Sequence, residues 1–132
     1  LDHEEWQVLD FEDIEKSLAK KLSDDDVGAI LACISAKKIL KRIKLTGCVS
    51  ITGRGLKPLH GSVVLEQIDL SLVGKHESPR IEENVLLSVN AVIPILDGII
   101  DANDNSLKHI QLPMKWRLGG GAVIDSFLAK YN

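Results

Sequence analysis

The chain has few of the residues from which disulfide-stapled, aromatic-rich or membrane-spanning proteins are built. Its 132 residues include two cysteines, four prolines, two tryptophans, two phenylalanines and one tyrosine. Two cysteines are too few for a disulfide scaffold. The longest apolar stretch, residues 92–100, is interrupted by Pro94 and Asp97 and falls far short of the roughly 18 residues of a transmembrane helix. The charged residues form no long block of one sign, so the composition predicts neither a membrane nor a nucleic acid as partner.

Aliphatic residues are abundant instead. Leu and Ile together supply 33 residues, and 45% of the chain is hydrophobic. This content is sufficient for a globular core, which must be aliphatic and layered because rings are scarce. We therefore expect one domain over residues 1–132. The two thiols, Cys33 and Cys48, fit a reducing compartment, so the expected location is intracellular and cytoplasmic.

A six-residue pattern with apolar residues at its first, fourth and sixth positions recurs along the chain. Its end alternates apolar, polar and apolar, which is the period of a short strand with one face buried. We expect Leu45, Leu70 and Leu112 to form one buried column, and Ile43, Ile68 and Ile110 another. The four copies are Trp6–Leu9–Phe11, Leu40–Ile43–Leu45, Leu65–Ile68–Leu70 and Leu107–Ile110–Leu112.

A second pattern, which indicates the start of a helix, follows each copy of the first. Its second residue is Ser, Thr or Gly, a type that suits a helix N-cap, and apolar residues follow at helical spacing. Pro58 and Pro94 occupy equivalent places, which we assign to the first helical turn. The predicted caps are Ser23, Thr52, Ser88 and Gly119.

Residues 40–56 closely resemble the cysteine-containing leucine-rich repeat. They read Leu-Lys-Arg-Ile-Lys-Leu-Thr-Gly-Cys-Val-Ser-Ile-Thr-Gly-Arg-Gly-Leu, and depart from that repeat mainly at Gly53, where Asp is usual. The resemblance implies an α/β leucine-rich repeat solenoid, ribonuclease-inhibitor-like, with about four irregular repeats. In such a horseshoe segment parallel strands line the concave face and helices of variable length the convex face. Residues 75–83 are interpreted as an insertion, and we expect the solenoid to continue beyond both ends of the chain.

The resemblance also implies a function, since such repeats characterise the substrate-recognition regions of F-box proteins, the receptors of ubiquitin ligases. It implies a non-catalytic protein-interaction module whose partner is another protein, with a ubiquitin-ligase adaptor reached through parts outside this chain. Two alternatives stay open. One is a regulatory leucine-rich repeat domain of the GTPase-activating or immune-sensor type. The other is a small α/β enzyme with an open twisted sheet and a crevice at the carboxyl ends of its strands.

The residues between the apolar positions of the strands are the candidate binding residues, because they point away from the core. The repeat predicts that Asp10, Lys44, Asp69 and Gln111 form one lateral row, in which charges of opposite sign alternate. Thr46 is expected on the same exposed face. The candidate contact residues are Arg42, Lys44, Gln67, Asp69, His109 and Gln111.

No combination of residues predicts catalysis, a cofactor or a metal. The four histidines lack metal-ligand spacing. Cys48 is expected to be a small buried residue that bonds loop backbone, and Cys33 to be core filler. Residues 24–26, all Asp, are interpreted as a solvated group at a helix N-terminus, where the macrodipole favours carboxylates. The chain is therefore predicted not to be an enzyme.

Overall fold

A computed structural model describes residues 7–74, 86–102, 107–119 and 121–131. Four three-residue strands form one parallel sheet in the order in which they occur along the chain, so each strand pairs only with its sequence neighbours. The predicted α/β class, with a parallel sheet, is confirmed. Trp6 and the proposed insertion at residues 75–83 lie outside the described residues. The strands are β1 (Val8–Asp10), β2 (Arg42–Lys44), β3 (Gln67–Asp69) and β4 (His109–Gln111).

The strand register is the one that the apolar pattern predicts. Ile43 pairs with Ile68, and Ile68 pairs with Ile110. These three side chains are buried, and so are Leu45, Leu70 and Leu112, which lie one residue beyond the paired positions. Both predicted columns are therefore confirmed. A one-residue slip would turn every one of these side chains to the other face, so the burial itself fixes the register.

Helices pack against the buried face of the sheet. Their apolar residues join those of the strands in one core, to which Leu31, Leu96 and Phe127 contribute from three different helices. The described helices are α1 (Lys16–Lys21), α2 (Asp24–Cys33), α3 (Ala36–Ile39), a 3₁₀ helix (Arg54–Leu59), α4 (Val89–Ala102), α5 (Met114–Gly119) and α6 (Ala122–Tyr131), with a 3₁₀ turn at Phe11–Asp13.

Two of the four predicted N-caps are confirmed. Ser23 caps α2 through a capping box: its hydroxyl accepts the backbone N–H of Asp26, whose carboxylate accepts the N–H of Ser23. Helix α4 begins at Val89, directly after Ser88, and the Ser88 carbonyl accepts the N–H of Val92. The apolar run after this cap, Val92, Ile95, Leu96 and Ile99, is buried as its spacing predicts.

The other two predicted caps are wrong. The 3₁₀ helix begins at Arg54, and Gly53 rather than Thr52 holds its N-cap position, with φ 108°. Gly119 is the last residue of α5 rather than the residue before a helix. Leu118, the apolar residue directly before the predicted cap, is 82% exposed. Helix α6 instead begins at Ala122, after Gly121, which has φ 88°. The Gly triplet thus does lead into a helix, but two residues later than predicted.

The prolines and Cys33 also differ from expectation. Pro58 is the fifth residue of the six-residue 3₁₀ helix, and Pro94 is the sixth residue of α4, so neither occupies a first turn. Cys33 is exposed at the end of α2 instead of filling the core. Val27 and Leu31 already form the buried stripe of that helix, and Cys33 lies two residues beyond Leu31, off that stripe.

Candidate functional site

The exposed face of the sheet carries two lateral rows of side chains, which we call the first row and the second row. Strand register places the members of each row side by side across all four strands. The lateral alignment predicted for Asp10, Lys44, Asp69 and Gln111 is confirmed. The first row is Val8, Arg42, Gln67 and His109, and the second row is Asp10, Lys44, Asp69 and Gln111.

Lys44, in the second row, is surrounded by carboxylates. Its ammonium nitrogen lies 3.1 Å from Oε2 of Glu12, which follows β1. The hydrogen bond to Glu12, followed by the negative charges of Glu12, Asp10 and Asp69, raises the pKa of Lys44 despite some loss of hydration. Lys44 is therefore held as a cation, and its charge is already matched within the chain.

Asp10 and Asp69 hold the chain as it leaves β1 and β3. Oδ1 of Asp10 accepts the backbone N–H of Glu12 at 2.9 Å. Oδ1 of Asp69 accepts the backbone N–H of Ser71 at 2.9 Å and the Ser71 hydroxyl at 2.6 Å. These are turns that Asp favours because its side chain reaches the backbone two residues ahead. Both carboxylates thus accept hydrogen bonds from the residues that follow their strands.

The first row has the less engaged side chains. Arg42 and His109 are exposed, and neither side chain has a partner among the described residues. Val8, beside Arg42, is 55% exposed. Gln67 is half-buried and donates from Nε2 to Oε1 of Gln111 at 3.3 Å. Arg42 is thus the member of the two rows whose full charge has no counter-ion in the described part of the chain.

Thr46 does not lie on this exposed face as the alternation predicts. It is only 8% exposed, and its hydroxyl has no hydrogen-bond partner among the described residues. Strand β2 ends at Lys44, and the next backbone hydrogen bond to the neighbouring segment after that of Leu45 is between the N–H of Gly47 and the carbonyl of Leu72, three residues beyond the end of β3. Strand alternation ends where the ladder ends, so the side-chain period of two no longer applies at Thr46.

The expectation for Cys48 is confirmed. The side chain is fully buried, and its Sγ donates to the carbonyl oxygen of Thr46 at 3.9 Å. Burial raises the pKa of the Cys48 thiol to about 12. Since the thiolate is the nucleophilic form, Cys48 is a structural residue. Cys33 and Cys48 are both free thiols.

Asp24 has a role that differs from the solvated one predicted for it. The side chain is only 9% exposed, and it reaches from α2 to the loop that leads into the 3₁₀ helix. Its Oδ1 accepts the N–H groups of Gly53 (3.2 Å) and Gly55 (2.8 Å). Its Oδ2 accepts the N–H (3.0 Å) and hydroxyl (2.8 Å) of Thr52. We call this arrangement the Asp24 clamp.

Two positions in the loop of the Asp24 clamp require glycine. Gly53 has φ 108°, a conformation that side chains disfavour. A Cβ on Gly55 would lie 2.6 Å from the backbone oxygen of Asp24, closer than atoms can approach without displacement. The Gly-Arg-Gly sequence at residues 53–55 was the available signal for a close approach of two backbones, but it did not identify Asp24 as the partner.

Within the described residues, no helix is long and apolar enough to cross a bilayer. The same part of the chain contains no group of three or more His, Cys, Asp and Glu residues placed to hold a metal ion. Comparisons of the chain with protein-family models, with curated proteins and with solved structures gave no match.

Proposed function

We propose that this chain is part of a leucine-rich repeat solenoid and functions as a non-catalytic protein-interaction module, with the exposed sheet face as its binding surface. Because residues 40–56 resemble the substrate-recognition repeats of F-box ubiquitin-ligase receptors, we further propose that the module is the target-recognition part of such a receptor. The proposal also includes an intracellular, cytoplasmic location. The partner is another protein, and any ligase adaptor would bind through parts outside this chain.

The observation that carries the proposal is the sequential order of four parallel strands in one register. A doubly wound α/β enzyme reverses its strand order at the switch point, where its ligand crevice opens. The order β1-β2-β3-β4 contains no such reversal. This strand order is the one expected of a solenoid, in which each short strand and its helix stack on the preceding pair. They do so because one such unit cannot bury its apolar face alone.

The exposed face supports a binding role over a purely structural one. Its first row presents Val8, Arg42 and His109 to solvent, and arginine is enriched where protein interfaces carry most of their binding energy. A regulatory leucine-rich repeat domain of the GTPase-activating or immune-sensor type would use the same face. The identity of the bound protein separates that alternative from a ligase receptor.

We expect Arg42→Glu to weaken the capture of one specific protein by the full-length chain, whereas Lys38→Glu leaves the capture unchanged. The two variants change the net charge equally, but Lys38 is exposed on α3, away from the sheet face. The retained protein, once purified, is titrated against both variants by calorimetry. The Arg42→Glu affinity should fall by one to two orders of magnitude, or about 1.4–2.8 kcal/mol.

Three results would contradict the proposal. In the first, the two variants bind the captured protein equally. In the second, Lys38→Glu causes the larger loss. In the third, every protein that the wild-type chain captures is also captured by the Arg42→Glu variant. Circular dichroism of both variants guards against misfolding, which is not expected because both side chains are exposed and unpaired within the described residues.

A further inference from the structure

The charges of the sheet face are separated along the strand direction. At the amino-terminal side of the strands, Arg42 is exposed, and so are Lys41 directly before it and Lys108 just before β4, two strands away. Half-buried Glu66, before β3, lies between these two lysines. Toward the carboxyl-terminal side, the carboxylates of Asp10 and Asp69 lie on either side of Lys44, which Glu12 binds. Among the described residues of the face, the amino-terminal edge therefore carries an excess of positive charge and the carboxyl-terminal edge an excess of negative charge.

The separation is short enough for one bound segment to meet both charges. Successive residues on one face of a strand lie about 6.6 Å apart, so the first and second rows are separated by about that distance. A segment that crosses the face obliquely from Arg42 would reach a second-row carboxylate, Asp10 or Asp69 on the strands to either side of Lys44, within two to four of its own residues. Parallel pairing places the amino ends of all four strands at the same edge of the sheet, so the first row lies along one edge and the second row along the other.

We infer that the partner presents a segment with charges of both signs, with carboxylates over Arg42 and a lysine or arginine over Asp10 and Asp69. This inference rests on the proposed binding function and specifies the chemistry of its partner. The guanidinium of Arg42 can bind a carboxylate through two parallel hydrogen bonds. The ammonium of Lys44 cannot replace it as the anchor, because Glu12 already binds Lys44 at 3.1 Å.

A nucleic acid fits this surface poorly. Its phosphates repeat one sign of charge along the whole backbone, so the phosphates that follow a contact with Arg42 would face Asp10, Glu12 and Asp69. A segment with charges of one sign, whether acidic or basic, meets repulsion at one of the two edges. Repulsion of this kind selects against wrong partners more strongly than it adds affinity for the right one.

The test is selection from a display library of random peptides of about 12 residues, long enough in extended form to cross the face. The full-length protein is the target, alongside Arg42→Gln, Asp69→Asn and the control Lys38→Gln. Asp69→Asn removes the charge but keeps an Oδ1 that can accept from Ser71. Wild type and Lys38→Gln should enrich peptides in which Asp or Glu and Lys or Arg lie two to four residues apart.

The two face variants should each lose one half of this preference. Arg42→Gln should abolish the enrichment of acidic residues and weaken the wild-type peptides about tenfold, and Asp69→Asn should do the same for basic residues. Enrichment of peptides of one charge sign, uncharged peptides, no peptides, or peptides insensitive to both variants would overturn the inference. The proposed function fails separately, when Arg42→Glu and Lys38→Glu bind the captured protein equally.

Discussion

Replacing Asp24 by alanine should lower the free energy of unfolding by about 3–5 kcal/mol. The Asp24 carboxylate accepts hydrogen bonds from three backbone N–H groups and one hydroxyl of residues 52–55. Its removal leaves the N–H groups of Gly53 and Gly55 buried without an acceptor, and each such group costs about 1–3 kcal/mol. Urea unfolding followed by circular dichroism measures the loss as a lower midpoint at unchanged slope.

Asp25→Ala is the matched control. Asp25 is the exposed neighbour of Asp24 in the same first turn of α2, so both substitutions remove one charge from the same end of the helix dipole. We expect Asp25→Ala to cost less than about 1 kcal/mol. Equal losses in the two variants would mean that the helix dipole, not the Asp24 clamp, accounts for the effect.

The Asp24 clamp also predicts a pH dependence. Burial by itself raises the pKa of the Asp24 carboxyl, but the hydrogen bonds from Thr52, Gly55 and Gly53 outweigh it, so the pKa lies below its ordinary value. A carboxyl with a lowered pKa in the folded state stabilises the fold fully above its unfolded pKa of about 3.9. That contribution disappears as the pH falls through the lower, folded value. As the pH falls from about 5 to about 2, the free energy of unfolding should therefore decrease less for Asp24→Ala than for the wild type.

Leu70→Ala should lower the free energy of unfolding by about 2–5 kcal/mol. Leu70 is fully buried just beyond β3, between the equivalent leucines Leu45 and Leu112 of the neighbouring strands. Truncation removes apolar contacts and leaves a cavity that a sheet fixed on both sides cannot collapse to fill. Denaturant unfolding measures the loss.

Two further substitutions decide whether the cavity causes the loss at Leu70. Leu70→Met conserves the volume and should cost less than about 1.5 kcal/mol. Val63→Ala removes an aliphatic side chain that is 59% exposed. It should change the free energy of unfolding by no more than about 0.5 kcal/mol. A loss below 1 kcal/mol for Leu70→Ala would contradict the buried column of residues 45, 70 and 112.

The strands were predictable because their signal is local. An apolar-polar-apolar triplet has one register that buries both apolar residues, and four such triplets in a chain this short specified both columns and the second row. The same locality made Ser23 predictable, since a capping box is completed within three residues. The candidate residues Lys44, Asp69 and Gln111 followed directly from the register.

The sequence-based predictions were wrong where the role of a residue depends on residues far away in the sequence, or on the exact position at which a strand ends or a helix begins. The Asp24 clamp joins residues 28 to 31 positions apart, and no periodicity connects them. Thr46 continued the strand alternation in sequence, but the ladder had already ended. The Gly119 cap failed because three consecutive glycines offer three possible helix starts, and the left-handed φ of Gly121 selected the last.

Photo-crosslinking from the sheet face is the most direct test of the claim that this face binds another protein. A benzophenone side chain replaces His109, which is exposed and without a partner in the described part of the chain, or replaces Lys38 on the helix side as the control. Illumination of the full-length protein with its captured partner should give an adduct from position 109 and none from position 38. Adding Arg42→Glu should abolish that adduct. An adduct from position 38 alone, or one from position 109 that persists with Arg42→Glu, would contradict the account.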